Sequence, residues 1–430
     1  MSSGAEHYEV VIVGGGIAGM AAAMRLRHRR LLILESESVV GGRTLSREWR
    51  GHWANVGAQA ITNDDKVRMT VLAKEVGCTL ENRVMGGGLA QRPTLSREAA
   101  ADVAETDRRL DAEAADPRDE TLPELDDQTM AEFLGDISEE ALGSYERWMG
   151  SMMTASTFEV SLHGALILHG DQWSTPWSTD EVPHTGRGPS IVMGGTHQIA
   201  LGVAAIVGDE CIQVDAFVSH IEPSSGGSAA RIAYQNAGEE REVTADRVIV
   251  ATPAPVVSQI IPGLPESKQQ ALGRVRYGLM LSTPIFLVGA GETPEPALEL
   301  TGYRPDVDYL HPGVQTVDVA ETEDAFCINA YLYDVLARPV WDDPDHTIAT
   351  GVVHALYEIR PELTGRVHHV EVKRFRSGIP HYYPGRVKNL PTLIEPFDGL
   401  HFCGDYTNLS NVEGAIRSGE RAAEEVLAAL

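Results

Sequence analysis

The chain has 430 residues, 62 of them acidic against 35 basic, giving a formal charge of −27 with ordinary globular proportions of apolar (43%) and charged (23%) residues. That length predicts two or more domains with ample core, and the charge excludes nucleic acid and anionic lipid as partners, because phosphate binding needs an excess of Lys and Arg. No apolar run is long enough to span a bilayer, no signal peptide is expected before the first strand, and Cys78, Cys211, Cys327 and Cys403 form no CxxC, so the expectation is a cytosolic protein without a disulfide framework or a metal site.

Tyr8–Val13 is a β-branched run with the composition of a buried parallel strand. It feeds into Gly14-Gly15-Gly16-Ile17-Ala18-Gly19, then an Ala-rich helical stretch over Met20–His28, then a second apolar run, Leu31–Leu34, ending on Glu35. Strand, GxGxxG, helix, strand and acid form the dinucleotide-binding fingerprint in its required context. Gly14 permits the tight turn, Gly16 lets backbone approach a pyrophosphate, Gly19 lets helix and strand pack closely, and Glu35 is placed to accept from ribose hydroxyls. Free N–H groups at the helix start, around Ile17 and Ala18, face the phosphates.

Gly41-Gly42-Arg43-Thr44 follows at once. A second glycine-rich contact after the ribose acid resembles the flavoprotein amine oxidase family, which includes monoamine oxidases, amino-acid oxidases, protoporphyrinogen oxidases and carotenoid desaturases. The resemblance implies an α/β fold: a Rossmann-like FAD-binding domain with a mixed-sheet plus helical substrate domain. It places Arg43 by the FAD pyrophosphate and adds Ser36, Gly41, Gly42 and Thr44 to the cofactor contacts. In Trp49–Gln59, Gly57 and Ala58 fit backbone contacts to the flavin, whereas Asn55 stands where the family commonly has an acid.

Asp64 to Gly77 reads as a helix capped by Asn63 or Asp64 and stopped by Gly77. From Glu98 to Glu140 sixteen acids face three arginines, about half of the chain's net charge; Leu95, Val103 and Leu110 leave only a thin apolar stripe. This predicts a solvated helical cap on the substrate side, with field focusing on a cationic substrate as the alternative. Helices continue over Ser138–Met153 and Ser161–His169. The Asp171–Pro189 loop carries Trp173 and Trp177, which either wall a substrate pocket or pin the loop to the core.

Gly194-Gly195 marks the return to the flavin domain, followed by a helix over His197–Val207 and strands at Ile212–Val214 and Ala216–Ile221; Val218 matches the family valine whose backbone lies against the adenine. Residues 231–236 and 241–250 read as a hairpin around Ala237-Gly238-Glu239-Glu240. The strand then ends at Ala251-Thr252-Pro253, a family pattern leading towards the second domain, with Pro262 and Pro265 at the crossover. Val275–Val288 is an extended strand. Many amine oxidases have a lysine eight residues before the proline matching Pro284, where it holds a water; this sequence has Arg276, which stays protonated and so can orient a water or bind a substrate oxygen but not act as a base. Strands near Val314–Val319 and Phe326–Leu332 and a helix over Asp345–Glu358 are expected at the edge of a mixed sheet.

Val372–Gly385 corresponds to the family's basic-aromatic strand and proline-aromatic turn, with His381, Tyr382 and Tyr383 as candidate walls of the substrate site. No cysteine lies between 372 and 390, so the FAD is expected to be non-covalent. At the C-terminus a strand ends at Gly404-Asp405 and a helix begins near Val412, with Ala415 in its first turn. Asp405 is placed for ribityl or phosphate-side hydroxyls, and the helix start for negative charge on the flavin. Simple amine oxidases carry an aromatic residue where this chain has Asn411, which points to a polar or carbonyl-bearing substrate group.

These assignments give three flavin-domain segments, residues 1–62, 191–262 and 395–430, alternating with substrate-domain segments 63–190 and 263–394. The expected activity is FAD-dependent removal of a hydride from a C–H next to nitrogen in an amine, amino acid or amide, as in a biosynthetic intermediate. The alternatives are a C–C desaturase or porphyrinogen-type oxidase, a redox-neutral flavin-dependent mutase, and a flavin-binding protein without turnover. The expected partners are a small-molecule substrate and a second copy of the chain.

Overall fold

The computed structural model describes residues 5–49, 51–59, 61–62, 65–82, 95–113, 124–170, 189–224, 228–289, 300–302, 304, 306, 317–321 and 325–430. The first strand, Glu6–Val13, pairs in parallel with Leu31–Leu34 on one side and Glu239–Val250 on the other. Ile212–Gln213 and Leu400–Phe402 extend this parallel core. Glu239–Val250 also turns back antiparallel on Ala230–Asn236, which pairs with Ala216–Glu222. The β-branched run thus becomes the centre of a mixed sheet: Val10, Val11 and Ile12 are fully buried, as expected of strands covered on both faces. The hairpin turn is tighter than the sequence suggested. Glu239 and Glu240 are already in the strand, and Ala237 and Gly238 make the turn with φ of 51° and 81°, the left-handed pair that two-residue hairpins favour.

A second sheet is built on Tyr277–Val288, which pairs antiparallel with Ala325–Tyr333, Val367–Val370 and Lys373–Pro380, with Val317–Glu321 outside Ala325–Tyr333. Its outer face packs on the Asp345–Ile359 helix through Leu281, Ile285, Ile328, Leu332, Ile348 and Val352. A helical layer follows the expected pattern. Arg97–Glu113 fully buries only Ala99, Val103, Thr106 and Leu110 and leaves most of its acids outside, with Asp107 half-buried as acceptor from the Tyr145 hydroxyl at 2.9 Å, and Glu139–Met153 and Leu162–Gly170 complete the layer. Two crossover helices, Ala254–Ile260 and Glu266–Arg274, and the Arg386–Ile394 helix with Pro391 inside it were not legible in the sequence. Trp173 and Trp177 and the start of the Val314–Val319 expectation lie outside the described residues. No helix among the described residues is long and apolar enough to cross a membrane.

The helices that carry the two ends of the chain cross tightly. Ile17–Leu26 packs on Val412–Ala429, and a Cβ at Gly419 would lie 2.0 Å from the Ala18 carbonyl oxygen. Only glycine permits that approach, so one glycine brings the N-terminal and C-terminal helix starts to the same place.

Candidate active site

The first glycine turn is fixed by its surroundings. Gly14 has φ of 105°, and its N–H donates to the Leu34 carbonyl at 2.9 Å. A Cβ at Gly19 would meet the Gly14 carbonyl oxygen at 2.0 Å, so the helix can sit on the turn only without one. Gly16 differs. It has ordinary extended backbone (φ −64°) and caps the first helix with no side-chain hydrogen bond to the helix N–H groups. A Cβ there would meet nothing within 4 Å.

Glu35 is buried at the end of the second strand. One carboxylate oxygen accepts from the Gly15 N–H at 2.7 Å and the other from the Glu37 N–H at 2.8 Å. Burial raises its pKa above the ordinary carboxyl range, and the Glu37 and Gly15 amides only partly offset this. The second glycine segment docks on the first: the Gly41 N–H donates to the Gly15 carbonyl at 2.8 Å. Gly41 has φ of 114°, and a Cβ there would lie 2.8 Å from the His197 ring. His197 Nε2 in turn lies 2.8 Å from the Val40 carbonyl oxygen. Arg43 then reaches across the molecule. Its guanidinium forks onto Asp405, with contacts of 2.7 and 2.9 Å, and donates to the Gly378 carbonyl at 2.7 Å. Burial works to lower the Arg43 pKa, but Asp405 opposite it prevails and raises it.

These parts line one cavity of about 710 Å³. Of the residues assigned to the cofactor, Gly14, Gly16, Ile17, Ala18, Glu35, Ser36, Gly42, Arg43, Thr44, Gly57, Ala58, Ala251, Thr252, Gly404, Asp405, Val412 and Ala415 line it. Gly19 and Gly41 are absent from the lining because both are consumed by close packing. Val218 is buried in the sheet opposite Tyr234 and does not reach the cavity. The lining also includes Met152, Met153, Ile167, Leu168, Met280, Ile379 and Tyr382, which give it an apolar wall.

The four residues assigned to catalysis fare differently. Tyr382 lines the cavity, is 2% exposed, and its hydroxyl accepts from the Ser410 N–H at 3.0 Å. Asn411 lines it too, but its Oδ1 accepts from the Gly414 N–H at 2.9 Å as the N-cap of the C-terminal helix. A capping role therefore accounts for an amide at this position. His381 is buried outside the lining. Arg276 is exposed, one residue before the Tyr277–Val288 strand, and does not line the cavity; Met280 is the residue of that strand that does. The pairing with Lys373–Pro380 shifts register between Gly278 and Met280. Such a bulge breaks the two-residue alternation on which counting along a strand depends.

The chain is similar over nearly its whole length to known flavoproteins. The family described as flavin containing amine oxidoreductase matches residues 17–427. The chain belongs to that family. It is 25% identical over 475 residues to the flavin-containing amine oxidase B of Canis lupus familiaris, covering 98% of this chain and 86% of that protein. It is 28% identical over 289 residues to a putative flavin-containing monoamine oxidase of Mycobacterium tuberculosis, covering 61% of each. Among solved structures, the fold is shared with cyclohexylamine oxidase from Brevibacterium oxydans (TM-score 0.74, 18% identity, 98% and 99% of the two chains). It is likewise shared with putrescine oxidase bound to putrescine (TM-score 0.73, 22% identity, 98% and 99%). A flavin-dependent oxidoreductase is the class that membership carries.

The residues present fit a flavin dinucleotide. The space beside Gly16 is one that a Cβ would enter, and the uncapped helix start supplies N–H donors to an anion there. Sequence reading missed several residues that shape the site. Glu413 lines the cavity while its carboxylate accepts from the Arg68 and Met69 N–H groups at 2.9 and 2.8 Å. Together with Glu420, seven residues on and paired to Arg68 and Arg25, it ties the Arg68–Glu75 helix to the C-terminal helix. The i, i+7 spacing of the two glutamates on one helix face was the available signal. Asp126, counted in the acidic run, is 1% exposed and accepts from the Val387 N–H at 2.6 Å, capping the Arg386–Ile394 helix.

Proposed function

We propose that the chain is an FAD-dependent oxidase of amines with an apolar body, holding FAD without a covalent bond. The observation that supports this is one cavity lined both by a phosphate-ready glycine turn and by methionine and aliphatic side chains. Bound flavin supplies a hydride acceptor for a C–H next to nitrogen, and the resulting imine is open to hydrolysis.

The chain's own groups bind and orient. Gly16 and the first helix start would hold the pyrophosphate, Glu35 the adenosine ribose, and Arg43 with Asp405 the middle of the dinucleotide. Tyr382, locked by the Ser410 N–H, and the apolar wall would orient the substrate and keep water from it. The acids in the described lining are Glu35, Glu37, Asp405 and Glu413. Each is engaged: by the Gly15 and Glu37 amides, by Lys373, by Arg43, and by the Arg68 and Met69 amides. None is left beside the apolar wall for a second ammonium group, which favours a monoamine over a diamine. None of the four cysteines is in the described lining, and burial pushes the Cys403 thiol up to about 12, which favours a dissociable cofactor. In this reading residues 1–62, 191–262 and 395–430 serve the flavin and the intervening segments serve the substrate.

The test is reconstitution of the purified protein with FAD, followed by peroxide release over an amine panel. Cyclohexylamine and benzylamine should be turned over faster than putrescine, and acid precipitation should release all of the flavin. Preference for putrescine would overturn the substrate reading. Flavin remaining on the precipitate would overturn the dissociable cofactor, and failure to take up FAD would overturn the whole. Anaerobic bleaching by a polyene or porphyrinogen, but by no amine, would indicate C–C oxidation instead.

A further inference from the structure

A buried relay of side chains in the second sheet ends on backbone that lines the cavity. Ser282, Asn329 and Tyr331 lie side by side on the face turned toward the His52–Asn55 strand. Ser282 and Asn329 are fully buried, and Tyr331 is 7% exposed. The Ser282 hydroxyl donates to Asn329 Oδ1 at 3.2 Å. Asn329 Nδ2 donates to the Tyr331 hydroxyl at 3.0 Å and to the Asn55 carbonyl. The Tyr331 hydroxyl lies 2.9 Å from the Gly57 carbonyl oxygen and 3.1 Å from that of Asn55, with the shorter contact to Gly57, whose carbonyl also accepts from Gln59 Nε2 at 3.0 Å. Burial holds the Tyr331 pKa far above its ordinary value, so the phenol remains a donor.

The far end of the same peptide is also held. The Ala58 N–H donates to the Arg43 carbonyl at 2.9 Å. A Cβ at Gly57 would lie 1.8 Å from that Arg43 oxygen, so the two backbones are in direct contact. The Gly57–Ala58 peptide is therefore fixed at its carbonyl by the second sheet together with Gln59 and at its amide by Arg43, and Gly57, Ala58 and Arg43 all line the cavity. Asn55 completes the clasp: its Oδ1 accepts from the Thr196 N–H at 2.9 Å and its Nδ2 donates to the Gln59 carbonyl at 2.9 Å. A carboxylate at this position could accept but not donate, which accounts for an amide where the family commonly has an acid. A fully satisfied buried polar chain fixes orientation, and one left with an unpaired member is costly.

We propose that Tyr331, backed by Asn329 and Ser282, is a positioning residue for the flavin: through the Gly57–Ala58 peptide it sets the cavity wall and the Arg43 backbone against the isoalloxazine side of FAD. This rests on the FAD reading above. The test is Tyr331→Phe, measured by apo-protein melting, FAD titration and the visible flavin spectrum. The expected result is an FAD Kd raised about fivefold, since the Gly57 carbonyl loses one of its two donors and keeps Gln59 Nε2, with a shifted long-wavelength flavin band. Ser282→Ala shortens the relay at its far end and should give about a two- to threefold rise; it serves as the readout should Tyr331→Phe not fold. Unchanged FAD Kd and spectrum in the folded variants overturn the inference, whatever the melting temperature does. Wild-type protein that takes up no FAD overturns the cofactor reading instead, so the two failures are distinguishable.

Discussion

Gly16 and Gly19 belong to one motif, three residues apart, yet the structure assigns them opposite failures. At Gly19 an added Cβ would meet the Gly14 carbonyl oxygen at 2.0 Å. Gly19→Ala is therefore an overpacking change, expected to cost roughly 1–3 kcal/mol of stability and to lower the melting temperature of the apo-protein. At Gly16 the backbone is relaxed and the space open. Gly16→Val should cost the apo-protein about 0.5–1 kcal/mol, the loss expected on replacing an N-cap glycine by an apolar residue, and less than Gly19→Ala. Its methyl groups would instead occupy the position of the pyrophosphate. Loss of two charge-assisted hydrogen bonds, each contributing about 1.5–3 kcal/mol, amounts to about 3–6 kcal/mol, or a roughly 10²- to 10⁴-fold weaker FAD Kd. Differential scanning fluorimetry of the apo-protein and FAD titration separate the two effects. Wild-type FAD affinity in Gly16→Val would refute the placement of the phosphates. Apo destabilisation equal to that of Gly19→Ala would refute the claim that the space is free.

Arg276→Ala should leave turnover and flavin retention within about twofold of wild type, since Arg276 is exposed and off the cavity, whereas Met280→Ala should raise KM for a monoamine several-fold through lost apolar contact; steady-state kinetics on both variants checks this. Gly419→Ala should force the first and last helices apart, costing roughly 1–3 kcal/mol and weakening FAD binding at the same time, as melting and titration would show. Burial lowers the pKa of His197, and that of His381, below the ordinary 6.5. The unfolded chain therefore binds protons at these sites before the folded one does, and the stability contribution present above pH 6.5 is lost as pH falls from there through the lower folded values. His197→Gln should flatten the fall in melting temperature below pH 6.5 relative to wild type.

What the sequence made legible follows physical kind. Gly14, Gly16, Gly19, Glu35 and Gly42-Arg43 are local signals: each is demanded by a turn, a close approach or a charge at a fixed offset, and the offsets survive folding. The C-terminal helix start at Val412 and the parallel strands were legible for the same reason. Most side-chain roles were not, because they depend on partners far away in the chain; Asn411, whose partner is local, is the exception. Asn411 was read by analogy with an aromatic position, but its Oδ1 is occupied by Gly414 three residues on, a contact that a capping reading would have found. Arg276 was placed by counting, and a register shift two residues later defeats any count. Asp126 sat within a run of acids whose sum suggested a solvated face, yet one member of that run is buried under a helix start 261 residues away. The relay through Tyr331 is the extreme instance: it joins residue 331 to residue 57 across 274 positions, and no spacing rule reaches that far. A motif scan therefore identifies the cofactor class in a chain like this one before it can identify the residues that orient the cofactor, because the first depends on local backbone geometry and the second on how two sheets meet.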